Sequence, residues 1–536
     1  MSRTKRLFLA GITTAFAAGC QAILGIDDTT FVPEGADATD GTDGATTSDG
    51  GTDGSNGDGG TTDSGSPSFT LSSAIVRVTP GSTADVAIAL NRAGLTGDVT
   101  FDVEGLDGGV TAAPVTIADG SSSGSIHVVV PSSTPAGTDV LTSVHASFGA
   151  SRPLEIVAPG PSGTLDTSFA NGEAAFTLGD AGTGATAVAV GVQKDGRVVL
   201  GARVTGSQQG WAVVRFDPQG VLDPTFDTNA AAAMPTSGIL NDLALGPAGD
   251  VYALGTANDQ MTIVHLNADG TRDNLFGTNG IASLNPVNFS QGTTGTGVAV
   301  QSDGRAVAVG ADKRTSGSSV VLRFAKDGTV DGTFAQVTVS SETLARIHAL
   351  PDDSLVAAGA DSTSGGAQLL LLVPKNGGSS VAHLGTSPAH SAADVAAIGD
   401  AGYVTVGRNF SAQGICEITI FPFDAGASTS GVGLSQPVGN NAYCSAVVAE
   451  ADGRYVFAGN GGGSFDHTGF VRRMIPPTTL DPTFADGGGV VFYADHSTPS
   501  SIPYRTFNAL AIAPDGRIVA AGNQNNAGIL VVRIWP

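Results

Sequence analysis

From residue 68 onward the chain is a succession of short runs in which apolar and polar residues alternate, each closed by Gly, Pro, Ser, Asn or Asp. A two-residue period sends successive side chains to opposite faces, so each run predicts a half-buried strand. Between residues 68 and 158 the runs are AIVRVTP, ADVAIALN, DVTFDVEG, SGSIHVVVP and DVLTSVHASF. Strands at that spacing predict an antiparallel sandwich.

From residue 163 the runs repeat. The strongest element is an Asp-Gly-type turn, an apolar strand and a small residue: QKDGRVVLGA (193–202), GPAGDVYALG (246–255), QSDGRAVAVG (301–310), PDDSLVAAG (351–359), GDAGYVTVG (399–407), EADGRYVFAG (450–459) and APDGRIVAAG (513–522). The closing residues Ala202, Gly255, Gly310, Gly359, Gly407, Gly459 and Gly522 lie 53, 55, 49, 48, 52 and 63 residues apart. A period near 50 predicts a propeller or a solenoid. In the first unit the strand-like pieces are AAFTLG, TAVAVGVQ, RVVLGA and WAVVRFDP. Asp-Gly between apolar runs predicts hairpins with type I′ turns, and the small closing residue reads as room for an inward taper.

A second element follows in fixed order: Leu165-Asp166…Phe169, Leu222-Asp223…Phe226, Arg272-Asp273…Phe276, Val330-Asp331…Phe334 and Leu480-Asp481…Phe484. Together the two elements resemble the delta-60 repeat family over about 163–536. That resemblance implies a β-propeller and carries no catalytic residue or cofactor with it. The last unit stops at ILVVRIWP, where an LDxxF element is due, and the first begins with a spare copy, Leu165 to Phe169. If the ends meet, the spare copy completes the last unit and a seven-bladed ring closes with no open edge. Residues 68–158 resemble bacterial Ig-like modules, a spacer in this reading. The expected fold class is therefore all-β: a seven-bladed propeller after an Ig-like sandwich.

The N-terminal segment follows a different logic. Residues 1–19 hold Arg3, Lys5 and Arg6, then an apolar run from Leu7 to Ala18, then Ala17-Ala18-Gly19 just before Cys20. This resembles a bacterial lipoprotein signal, which implies cleavage before Cys20 and its acylation; several acyl chains hold a protein on a bilayer stably. Residues 20–67 read as a tether. Its 33–67 portion carries eight acids, no base and no aromatic, too little apolar surface to offset ordering entropy.

Composition narrows the function. The chain has 25 Lys plus Arg against 49 Asp plus Glu, a net charge of -24. Nucleic-acid binding depends on bases that neutralise phosphates, so no nucleic-acid partner is expected. Only 14% of residues are charged, which disfavours salt-bridged helices. The repeated motif Asp residues read as turn formers, and Arg215, Arg323 and Arg533, with His265 in one place, as their partners. No His pair has metal-ligand spacing, so neither metal nor cofactor is expected. Asp466-His467 and Asp495-His496 are the acid–base pairs adjacent in sequence. The GSSSG at 120–124 is not a nucleophile elbow, because a strand follows it where a helix is required. With Cys20 acylated, Cys416 and Cys444 remain as a pair in neighbouring units, and a disulfide is expected.

The expected function is non-catalytic: a lipid-anchored bacterial envelope protein, at the outer membrane or cell surface, that binds or scaffolds a protein or glycan ligand through its propeller. Candidate contact surfaces are 486–506, with Phe492, Tyr493 and Tyr504, and 460–467. The alternative is a polysaccharide hydrolase or lyase with its site at the channel mouth. Ionisable groups converging on the axis favour the enzyme, and a Val- and Gly-lined axis favours binding.

Overall fold

The structure is a computed structural model that describes residues 5–7, 66–178, 184–205, 210–235, 237–286, 292–313, 317–361, 367–378, 381–384, 390–409, 415–421, 432–435, 442–461, 468–492, 505–524 and 528–536. Nearly all its regular structure is β. The expected tether and Cys20 lie outside the described residues.

Residues 68–158 form two sheets packed face to face. One orders Ser68–Leu71, Thr83–Asn91, Ser123–Val129 and Thr111–Ala112; the other orders Ile75–Arg77, Ser151–Ala158, Thr138–Ala146, Val99–Glu104 and Val115–Ile117. Their inward residues meet in one core, where Phe69 and Phe101 pack edge to face at 5.0 Å beside Ile88, Ile126, Val128 and Leu154. Thr83–Asn91 shows the expected alternation of exposed and buried positions. Ser151–Ala158 breaks it: from Leu154 on, every residue is buried. Leu154, Ile156 and Ala158 fill the sandwich core. Glu155 and Val157, on the other face, are buried as well.

Among the described residues, seven sheets follow it in series. Their first strands are Gly184–Val192, Ile239–Leu245, Thr293–Val300, Glu342–Ala349, His390–Ala397, Tyr443–Ala449 and Arg505–Ile512. Each packs against the next, and the seventh packs against the first, so the sheets stand round a common axis. Closure comes from the N-terminal end of the series. Glu173–Leu178 lies antiparallel on Gly528–Ile534, with Glu173 opposite Val532 and Thr177 opposite Gly528. Lys5–Leu7 runs parallel to the other edge of Glu173–Leu178.

Three local expectations need correction. AAFTLG belongs to the seventh, closing sheet; among the described residues the first sheet has three strands, and the helix Pro224–Ala233 begins within its LDPTF element where the second to sixth sheets continue into an outer strand. Pro at N1 and the Asp223 carboxylate, which accepts from the Thr225 and Phe226 amides, start that helix. The hairpins are also not type I′. Only the glycine of each Asp-Gly pair has positive φ, as at Gly196 and Gly516. The Gly516 amide donates to Ala513 O and the Ala513 amide to Arg517 O, the pattern of a three-residue loop with a glycine bulge. The Asp remains at negative φ, and its carboxylate accepts the Arg517 amide.

The closing glycine, finally, is not fitted to a taper. The register of every first strand slips by one residue at the same place: Ala187/Ala189, Leu240/Asp242, Gly295/Gly297, Leu344/Arg346, Ala392/Asp394, Cys444/Ala446 and Phe507/Ala509. The small residue sits opposite that bulge. A Cβ on Gly522 would lie 1.7 Å from Thr506 O, and one on Gly459 1.9 Å from Tyr443 O. Bulge and glycine are one device: the backbone bends inward and approaches its neighbour.

Candidate functional site

The bulges decide what reaches the axis. In several sheets the inserted residue spans to the next first strand: Asn241 Nδ2 donates to Gly295 O (2.7 Å), Thr296 Oγ1 to Leu344 O (2.8 Å) and Asn508 Nδ2 to Ala187 O (3.0 Å). The residue after the bulge is Ala189, Asp242, Gly297, Arg346, Asp394, Ala446 or Ala509. Four ionisable groups therefore gather among otherwise small side chains: Asp242, Arg346, His348 and Asp394.

Arg346 Nη1 donates to Asn241 O (2.9 Å) and pairs with Asp242 Oδ1 (2.6 Å), while Nη2 donates to Val188 O (2.7 Å). One guanidinium on the fourth sheet thus holds the first and second. The Val298 amide donates to Asp242 Oδ2 (2.9 Å), which ties the second sheet to the third. His348 Nε2 meets Asp394 Oδ1 at 2.7 Å, and the Val447 amide donates to Asp394 Oδ2 (3.0 Å), which joins the fourth, fifth and sixth sheets. Burial raises the Asp242 carboxyl above its ordinary value, against the pull of Arg346 and the Val298 amide. Burial acts to lower His348, but the Asp394 carboxylate, its hydrogen bond and Asp242 outweigh it, and the net direction is up. The His348 side chain is 46% exposed, against 8% for Asp394, so the imidazole is the accessible member of the pair.

The LDxxF element has a clear physical role. Its Asp pairs with the strand Arg: Asp223 with Arg215 (2.7 Å), Asp331 with Arg323 (2.8 Å), Asp481 with Arg473 (2.8 Å) and Asp166 with Arg533 (2.5 Å). Its Phe lies under the same guanidinium, at 4.4 Å for Arg215 and Phe226 and 5.0 Å for Arg533 and Phe169. His265 fills the Arg position in the second sheet, between Asp250 (2.8 Å) and Asp273 (2.9 Å), and stacks on Tyr252. Burial opposes the Asp481 charge, but hydrogen bonds from Thr483 and Arg454 and the Arg473 charge hold its pKa down to about 2.

Of the residues picked from sequence, Cys416 and Cys444 are joined by a disulfide with Cα atoms 5.0 Å apart, linking the fifth sheet to the sixth. Phe492 is no contact surface: it is buried, edge to face on Phe507 at 4.9 Å. Tyr493, Tyr504, His467 and His496 fall outside the described residues. The acid–histidine pairs that do form join residues distant in sequence, such as His348 and Asp394. Sequence adjacency missed them; the visible signal was charge inside an alternating strand, as in LARIHAL and NDLAL. Among the described residues no three His, Cys, Asp or Glu are grouped to hold a metal.

A polysaccharide lyase, Uly1, superposes with a TM-score of 0.40 at 10% identity, over 65% of this chain and 89% of that one. A protein of unknown function from Dyadobacter fermentans DSM 18053 gives 0.38 at 14% identity, over 68% and 98%. Sqt1 from Chaetomium thermophilum gives 0.38 at 14%, over 65% and 96%. No curated protein matches the sequence. The family described as "Domain of unknown function (DUF5122) beta-propeller" matches residues 193–226 and 301–334. Each stretch runs from an Asp-Gly turn to the Phe of the next LDxxF element, and this repeated match supports a β-propeller family for the chain.

Proposed function

We propose that this chain is a lipid-anchored bacterial envelope protein and a non-catalytic binding or scaffolding module. In this reading residues 1–19 are a lipoprotein signal, whose removal takes Lys5–Leu7 with it, and acylated Cys20 holds the chain on the bilayer. Residues 20–67 are the tether, 68–158 an Ig-like sandwich, and 163–536 a seven-bladed propeller that takes a protein or glycan ligand. Seven sheets in cyclic contact support the blade count.

One observation carries the non-catalytic reading: the charged groups at the axis are engaged with the ring itself. Arg346 is held by two backbone carbonyls and Asp242, and both Asp242 and Asp394 accept amides of the next sheet. A general acid or base needs a free face toward a substrate proton. The test is crosslinking on intact cells, purification of the full-length protein and mass spectrometry of what it retains. A stoichiometric protein or glycan supports binding; an empty result counts against it.

The half-exposed His348 on Asp394 favours a second reading, a polysaccharide-acting enzyme at the channel mouth. Its test is a screen against envelope polysaccharides with wild type and His348→Ala in parallel. Turnover that disappears in the variant would replace the first reading with the second.

A further inference from the structure

The third, sixth and closing sheets share one arrangement at the Asp-Gly turn. The Arg after the turn pairs with its own turn Asp and with the LDxxF Asp: Arg305 with Asp303 and Asp331, Arg454 with Asp452 and Asp481, Arg517 with Asp515 and Asp166. In the third and sixth sheets this Arg is partly exposed, at 26% and 32%. In the closing sheet it is 1% exposed, because the sandwich covers it. Asp139 comes within 2.6 Å of Arg517 and Glu155 within 2.7 Å. Asp139 also meets Arg533 at 3.2 Å and accepts from Ser168 Oγ at 2.7 Å.

The connection between sandwich and ring is built into the same place. The Gly163 amide donates to Trp535 O, the Trp535 amide to Thr164 O and the Asp166 amide to Arg533 O. Across to the sixth sheet, the Ala485 amide donates to Ser162 O and Arg473 Nη2 to Ser162 Oγ. Trp535 is buried, with Arg77 of the sandwich 5.9 Å and Arg517 5.4 Å from its ring. A Cβ on Gly160 would lie 2.4 Å from that indole, so the connection runs flat against it. Here the two paired strands come from opposite ends of the repeat region.

We infer that the sandwich is a lock on the ring's seam: Asp139 and Glu155 complete a charge cluster on Arg517 and Arg533 that keeps Glu173–Leu178 on Gly528–Ile534. The spacer reading gives way to a rigid intramolecular clasp. Removing its two carboxylates loosens the seam and leaves the other junctions unchanged. Burial opposes the Arg517 charge, and the surrounding Asp515, Asp139, Glu155 and Asp166 outweigh it, so its pKa lies above the ordinary arginine value.

The test is hydrogen exchange by mass spectrometry on the full-length chain. In Asp139→Asn/Glu155→Gln, peptides covering 160–178 and 528–536 should exchange at least tenfold faster, while those covering 306–324 keep wild-type rates. The matching change in the third sheet, Asp303→Asn/Asp331→Asn, should leave the seam peptides unchanged. Wild-type exchange at the seam of a folded Asp139→Asn/Glu155→Gln variant overturns the proposal. If that variant does not fold, the unmodified chain decides. Equal protection in peptides covering 151–158 and 528–536 supports a lock, and earlier opening of 151–158 overturns it.

Discussion

The third and closing sheets carry almost the same residues at equivalent positions and put them in different environments. Both have Asp-Gly-Arg at the turn, an Arg on the next strand, and an Asp and Phe from an LDxxF element. In the third sheet the LDxxF Asp, Asp331, follows its own Arg323 in the chain by eight residues. In the closing sheet Asp166 precedes Arg533 by 367 residues, and two further acids arrive from the sandwich. The motif therefore specifies a polar hub, and chain position decides whether that hub is a local ornament of one sheet or the fastening of the ring. Exposed ion pairs contribute little because solvent screens them, whereas a buried pair that loses one partner leaves an uncompensated charge.

The largest effect should come from Arg517→Ala. It leaves Asp139, Glu155, Asp166 and Asp515 buried round an empty place and should cost about 3–5 kcal/mol, read as a lowered denaturation midpoint with early proteolysis near residue 160. A cost indistinguishable from that of Arg305→Ala would erase the distinction between the two sheets. The junction of the fifth and sixth sheets is fastened covalently, and Cys416→Ser/Cys444→Ser should cost about 3 kcal/mol by chain entropy, with a 28-residue separation. Reductant should reproduce that loss in wild type and have no effect on the variant.

Gly522→Ala tests whether the bulge contact is as strict as the hubs. Its new methyl meets Thr506 O, so a loss of about 1–3 kcal/mol is expected from overpacking. The first sheet already carries Ala202 at this position, so Ala202→Gly should cost only about 1 kcal/mol.

Asp227 extends the comparison to the first sheet, where a helix begins within the LDPTF element. Burial raises its pKa to about 7, with the Arg215 amide pulling it down and the Asp223 charge pushing it up. A carboxyl whose folded value lies above its unfolded one contributes fully below the ordinary carboxylate range, and that contribution is lost as pH rises through about 7. Asp227→Asn should thus gain about 1–2 kcal/mol over wild type at pH 8 and nothing at pH 4. Thermal melts at both values check it. The smallest effect is Arg305→Ala, at most about 1 kcal/mol, since that side chain is partly exposed.

Strands, repeat and closure were legible because each depends on a local period or on motif order. LDTSF at 165–169 could be matched to the missing C-terminal copy without any knowledge of contacts. What escaped depends on where backbones meet. The glycines at 255, 310, 359, 407, 459 and 522 were visible, but their cause, the bulge opposite, leaves no residue type of its own. The axis cluster was hidden because His348 and Asp394 lie 46 residues apart and meet only once the sheets stand in order. The sandwich contact was hidden as well: Glu155 reads as an exposed position, and LEIVA at 154–158 is buried throughout only because a second surface covers its outer face.

The closing strand has a consequence in time. Glu173–Leu178 is made long before its partner, Gly528–Ile534. Until then its hydrogen-bonding edge has no mate, and loop-closure entropy makes so distant a pairing slow to form. The ring can therefore be finished only after Gly528–Ile534 has emerged from the ribosome. A nascent chain truncated anywhere before residue 528 carries an unmated strand at its beginning, a template for another chain as much as for its own.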